Sequence, residues 1–196
     1  MIENDTTSAN RTSSDSQDRV FALLGAPSTY GGAEVRRIDT HAASVFLAGD
    51  KAYKVKRNVR FPFLDYSSLE KRHAACLSEL DVNRRFAPAL YRRVVPITRE
   101  PNGDLALDGK GEPVEWAVEM TRFDESRTLD HLAATNGLNA ALCRKLGRAV
   151  AAIHERAAPA NARRRSAEIE QDHDNTFCQL LVTATCVTQS SVHTQG

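Results

Sequence analysis

The sequence predicts an α+β domain in which antiparallel strands surround one long helix and then give way to helices alone. Three observations carry this reading. Between Glu34 and Lys56, short apolar runs are separated by short connections; one is the pair Gly49-Asp50, which suits a two-residue hairpin because glycine takes positive φ at little cost. At Ser67-Ser68-Leu69-Glu70 a serine-led start with an acidic residue three positions on opens a helical pattern. From Leu138 to Ile153, apolar residues recur at three- and four-residue spacing without strand-like alternation.

In chain order, residues 1–18 are rich in Ser, Thr, Asn and Asp and nearly devoid of apolar side chains, so they are expected to be disordered. Arg19 to Leu24 has a short helical pattern, which Pro27 and Gly31-Gly32 break. Glu34 to Ile38, Ser44 to Ala48 and Lys51 to Lys56 read as an antiparallel meander, and Pro62 interrupts the loop that follows. The capping box assigns Ser67 as the acceptor of an orphan amide, with Glu70 reaching back; the helix runs to about Phe86, where Ala87-Pro88 stops it. Leu90 to Ile97 and Trp116 to Met120 read as two further strands, with Asn102-Gly103 and Asp108-Gly109 marking a small hairpin between them. Leu129 to Ala134 is a short helix, and Leu138, Leu142, Leu146, Ala149, Val150 and Ile153 mark a longer one ending near Ala157. The sheet-and-helix part thus occupies residues 19–123, a helical part 124–171, and a poorly ordered tail 172–196.

A chain of 196 residues holds one ordinary domain and a tail, or one lobe of something larger. Hydrophobic residues at 41% and charged residues at 26% fit a water-soluble globular composition, and the formal net charge of +1 gives no field selecting nucleic acid or an anionic membrane. No apolar run is long enough to span a bilayer, and the polar N-terminus lacks a signal-peptide core, so a cytoplasmic location is expected. The arginine pairs Arg84-Arg85 and Arg92-Arg93 and the run Arg163 to Arg165 are balanced by acids and lack interleaved aromatics, so they read as solvated faces. Four scattered cysteines form no CxxC pair. His173, Cys178, Cys186 and His193 match no common zinc spacing, and no metal site is expected. There is no internal repeat.

The chemistry concentrates on the third strand and the helix after it. Strand alternation puts Tyr53 and Val55 on one face and Ala52, Lys54 and Lys56 on the other. A lysine on a strand is ordinarily solvated; one lying two residues after a small side chain is also how protein-kinase-type enzymes present an ammonium to ATP phosphates. Lys54 is the first candidate and Lys56 its rival. On the helix, Glu79 shares a side with Ala75, Cys76, Val82, Asn83 and Phe86, and a carboxylate in a mostly apolar stripe calls for a partner. That partner is either a lysine of the adjoining sheet or a local arginine such as Arg84. The run Glu115 to Met120 reads as a buried strand, and its residues Glu119 and Met120 could alternatively form the wall that meets the edge of an adenine.

These residues extend into a wider resemblance. Thr40-His41, Val45 to Asp50, Tyr53-Lys54-Val55-Lys56, Val59 to Asp65, Ser68 to Arg72, Glu79-Leu80, Asn83-Arg84-Arg85, Ala87-Pro88, Leu90-Tyr91, Val94 to Ile97 and Met120 to Phe123 together resemble bacterial aminoglycoside phosphotransferase-like proteins, some of which carry a fused P-loop ATP-binding domain. The resemblance covers about residues 20–170. It implies a protein-kinase-like fold: an N-terminal lobe with an antiparallel sheet and one helix, followed here by the first helices of an incomplete C-terminal lobe. It further implies ATP and Mg²⁺ as cofactors, Lys54 as the phosphate-gripping lysine, Glu79 as its helix partner, and transfer of a phosphoryl group to the hydroxyl of an unknown small-molecule acceptor in intact relatives.

The catalytic half of that pattern is not found. No H-x-D-x-x-x-x-N loop occurs: His131 and His154 are followed by no such aspartate, and His173-Asp174-Asn175 has the wrong spacing. No Walker A motif occurs either. The expectation is an ATP-binding portion truncated before its catalytic loop, without catalytic or metal-binding residues of its own. The rivals are a non-catalytic binding or regulatory module and an inactive truncated gene product. The turn from Asp39 to Ala43 has no glycine, leaving the Thr40 and Ser44 hydroxyls and backbone amides to cover phosphates. The Leu138 to Ile153 stripe is expected to be partly uncovered and so to favour association.

Overall fold

A computed structural model of the chain describes residues 17–156 except 125 and 127. These divide between two units, Met1–Asp81 with Tyr91–Arg122, and Val82–Leu90 with Phe123–Gly196. The fold is α+β. The first unit opens with a helix over residues 17–25 (α1) and a 3-10 turn at Pro27–Tyr30. The meander β1 (Val35–Asp39), β2 (Ala43–Ala48) and β3 (Lys51–Lys56) follows. A two-stranded ribbon comes next, β4 (Arg60–Phe61) and β5 (Leu64–Asp65), and then α2 (Leu69–Arg84), whose last turn belongs to the second unit. The remaining strands are β6 (Tyr91–Arg99), β7 (Leu105–Leu107) and β8 (Glu112–Thr121).

Six strands make one antiparallel sheet in the order β1-β2-β3-β8-β6-β7, so the last strand is inserted beside the third. At the β2–β3 turn Ala48 pairs with Lys51 across Gly49-Asp50, and Gly49 takes φ +57°. That is the two-residue hairpin the sequence predicts. The register then sets the faces. Phe46, Tyr53, Val55, Val95, Ile97 and Ala117 turn to one side and bury Val20, Phe21 and Leu24 of α1, which forms the main core. On the other side lie Lys54 and Lys56, facing Glu79 of α2, and Trp116, whose ring stacks on His73 of α2 at 3.7 Å. Every β3 residue after Lys51 is buried, because the strand is covered on both faces.

Several local expectations change. Gln17 and Asp18, assigned by composition to the disordered leader, begin α1, and Gln17 is buried by hydrogen bonds that composition does not reveal. The loop containing Pro62 is the tip of the β4–β5 ribbon, whose Leu64 packs with Ala42 and Tyr66 in a second small core. The helix cap is Ser68, not Ser67: Ser68 Oγ accepts from the Lys71 amide at 3.3 Å, while the Ser67 amide and hydroxyl both donate to Asp65. Strands β6 and β8 are longer than their apolar runs. Their pairing through Arg99 and Glu112 is set by hydrogen bonds rather than by hydropathy.

In the second unit α3 is Leu129–Ala134 and α4 is Ala140–Arg156. Leu142, Leu146, Ala149 and Val150 are half-buried along one side of α4, and Leu138, ahead of the helix, is exposed. The leader 1–16, the region after residue 156 and with it the candidate zinc residues lie outside the described residues. No helix among the described residues is long and apolar enough to cross a membrane.

Candidate functional site

Strand β3 and helix α2 bring three charged side chains together inside the first unit. Lys54 Nζ donates to Glu79 Oε1 at 2.9 Å, and Lys56 Nζ lies 2.5 Å from Glu79 Oε2. All three are buried, Glu79 to 1% exposure. Two-residue spacing on a strand puts both lysines on one face, and α2 presents Arg72, Cys76 and Glu79 to it at helical spacing. The sequence left Lys54 and Lys56 as rivals for Glu79. The structure gives it both.

The electrostatics follow from burial and charge. Burial works against the Glu79 carboxylate, but the ammonium groups of Lys54 and Lys56 overcome it and hold its pKa at about 2. Burial likewise works against the charge on Lys56, and Glu79 beside it raises its pKa above the ordinary lysine value. Burial pushes the Cys76 thiol up to about 12, so it stays neutral next to the cluster, and it raises the Tyr66 phenol as well.

Glu119 and Met120 sit side by side on β8 but face opposite ways. Met120 pairs with Ala52 and shares the face of Lys54; Glu119 pairs with Tyr53 on the α1 side, where Lys51 and Arg93 bind its carboxylate at 3.1 and 3.0 Å. The Glu119 side chain is therefore an ion-pair group, and only its backbone is left for edge recognition. Thr40 and Ser44 fit phosphate cover poorly: the Thr40 hydroxyl both donates to and accepts from the Ala43 backbone at 3.0 Å, and Ser44 is fully buried.

Sequence reasoning missed a second buried cluster. Arg72 Nε donates to both oxygens of Glu115 at 2.9 Å, Arg72 also donates to the Tyr66 carbonyl, and Gln17 Nε2 donates to Glu115 Oε2 at 2.8 Å. Gln17 further donates to the Lys56 carbonyl at 3.0 Å and accepts from the Asn58 amide at 2.8 Å. The signal was present: Arg72 stands seven residues before Glu79 on the same stripe, and Glu115 heads an apolar strand. Among the described residues, no group of three or more His, Cys, Asp or Glu side chains could hold a metal ion.

Comparison with known proteins gives relatives without assigned roles. Uncharacterized proteins of Mycobacterium bovis and of two Mycobacterium tuberculosis strains are 34% identical to the chain over 120 residues. The match covers 61% of this chain but only 22% of the relatives' length. No family model matches the chain. No solved structure matches it.

Proposed function

We propose that the chain is the nucleotide-binding portion of an aminoglycoside phosphotransferase-like, protein-kinase-like phosphotransferase. The observation that carries this reading is the buried ion pair between Lys54 on a central strand and Glu79 on the one long helix packed against it. A carboxylate that fixes an ammonium at a set depth preorganises a point charge for a phosphate. Ala52 and Met120, paired across β3 and β8 on the same face as Lys54, offer a small apolar surface suited to a base. Mg²⁺ would arrive on the phosphates, whose oxygens it prefers. In a complete enzyme, the transferred group would go to a hydroxyl of an acceptor.

Titration calorimetry of the purified chain with ATP, with and without Mg²⁺, tests the reading. Saturable binding that Lys54→Ala weakens at least about tenfold, the scale of one lost charge-assisted contact, is the expected result. No binding, or binding indifferent to Lys54, would remove the proposal.

A further inference from the structure

The ladder between β3 and β8 ends at Val55–Ala117, although β2 continues to pair with β3 through Ala43–Lys56. The next pair in register would be Lys56 with Trp116. Side chains stand in for it. The Trp116 amide donates to Glu115 Oε1 at 3.1 Å, and the Lys56 carbonyl accepts from Gln17 Nε2 at 3.0 Å. Gln17 Oε1 also accepts from the Asn58 amide at 2.8 Å, so one side-chain amide meets residues 56 and 58 as the backbone of a neighbouring strand would. The same Nε2 donates to Glu115 Oε2 at 2.8 Å, and Arg72 of α2 donates to both oxygens of Glu115. Gln17, Arg72 and Glu115 are all buried. A strand end that loses one neighbour opens locally unless other groups satisfy its backbone. Lys54 lies one residue before the last ladder pair, at the end that Gln17 closes.

We propose that Gln17 is a positioning residue for Lys54. It holds the open end of β3 to Glu115 and, through Arg72, to α2, and so fixes the depth at which Lys54 presents its ammonium to a nucleotide's phosphates. The role rests on the nucleotide-binding reading of Lys54. The effect of Gln17 on affinity passes through that lysine. A merely structural residue would change the stability of the protein and leave the affinity of its folded form as it was.

The test measures ATP affinity by titration calorimetry, with Mg²⁺ present, for wild type, Gln17→Met, Lys54→Ala, Gln17→Met/Lys54→Ala and Val20→Ala, together with the urea midpoint of each. Gln17→Met keeps the length of the side chain and removes its three hydrogen bonds. It is expected to weaken binding about fivefold, the low end of coupling between linked sites, and less than Lys54→Ala does. In the Lys54→Ala background the same substitution is expected to change affinity less than about twofold, because the group it positions is gone. Val20→Ala truncates a buried side chain of the main core on the same helix. It is expected to lower the urea midpoint, as Gln17→Met does, and to leave affinity within about twofold of wild type. Wild-type affinity in Gln17→Met, a loss that persists undiminished without Lys54, or an equal loss in Val20→Ala would overturn the role.

If Gln17→Met does not fold, Gln17→Asn decides, since it keeps an amide in the interior but is shorter by a methylene and cannot meet all three partners. A loss of affinity seen only where Lys54 is present supports the assignment; no loss, or the same loss in both backgrounds, overturns it. Wild type that binds neither ATP nor tripolyphosphate would overturn the nucleotide reading and this role together, a failure seen before any variant is compared. Lys54-dependent binding that is indifferent to Gln17 would overturn this role alone.

Discussion

Acid should weaken this fold through Glu79, and the size of the effect can be worked from the cluster. The carboxylate is fully buried, and its pKa falls from 4.5 in the unfolded chain to about 2 in the folded one. A group whose pKa is depressed on folding contributes its full stabilisation above the unfolded value and loses it as pH falls through the folded one. A difference of that size corresponds to about 3 kcal/mol, present at neutral pH and lost between about pH 4.5 and pH 2. Glu79→Gln removes the titration and the negative charge that faces both ammonium groups, a loss of about 3–5 kcal/mol for a buried pair. Urea unfolding of wild type and Glu79→Gln from pH 7 to pH 2 is the assay. Other acids whose pKa values are lowered, such as Asp39 and Glu100, are common to both proteins and cancel in the difference. The expected outcome is a gap of about 3 kcal/mol at pH 7 that closes as pH approaches 2. A gap below about 1 kcal/mol at pH 7, or one that does not change with pH, would refute the argument by showing that water reaches the cluster and screens it.

Other outcomes follow from single contacts. Gln17→Ala removes three hydrogen bonds, one to a carboxylate, and is expected to destabilise the first unit by about 2–4 kcal/mol in urea unfolding. Gly49→Ala meets no atom within 4 Å but forces an alanine to φ +57°, and should cost about 1–2 kcal/mol by the same measurement. The purified chain is expected to show no phosphoryl transfer to sugars, aminoglycosides or protein hydroxyls in a radiolabelled-ATP assay, because its sequence has no H-x-D-x-x-x-x-N loop to supply the base and metal ligand. Turnover abolished by Lys54→Ala would contradict that expectation.

The sequence made the fold legible where burial and turn chemistry act locally. Gly49-Asp50 fixed a hairpin, and with it the parity of every side chain on β2 and β3. The apolar stripe around Glu79 was enough to require a cation, and the alternation of β3 was enough to name two. It could not choose between them, since both lie on the same face and the answer depends on which carboxylate oxygen each reaches. Glu119 and Met120 could not be told apart for a related reason: an apolar run suggests a buried strand, and only register shows which of two adjacent residues faces α1 and which faces α2. Ser67 and Ser68 were interchangeable on paper; Asp65, two residues before Ser67, bound one and left the other to cap the helix. Gln17 was invisible because a polar side chain in a polar leader carries no hydrophobic signal, and its burial depends on backbone groups that arrive from Lys56 and Asn58.

The two buried clusters together explain how α2 is held. A helix packed only by apolar contacts can roll or slide along a sheet at modest cost, because dispersion is weakly directional. On α2, Arg72 is tied to Glu115 of β8 and Glu79 to Lys54 and Lys56 of β3, at points two helical turns apart, or about 10 Å along the axis. Two directional anchors at that separation fix both rotation and translation, so Glu79 is held opposite β3 rather than merely near it. Between them lie Cys76, whose Sγ meets the Trp116 carbonyl at 3.9 Å, and the stacked His73 and Trp116 rings. Glu115 also receives Gln17, and Gln17 holds the backbone of Lys56, so α1 is joined to both anchors from the far face of the sheet. The placement of Lys54 thus depends on residues on four elements. Loosening the Arg72 anchor should shift Glu79 and weaken whatever Lys54 holds, even though Arg72 lies in the other cluster.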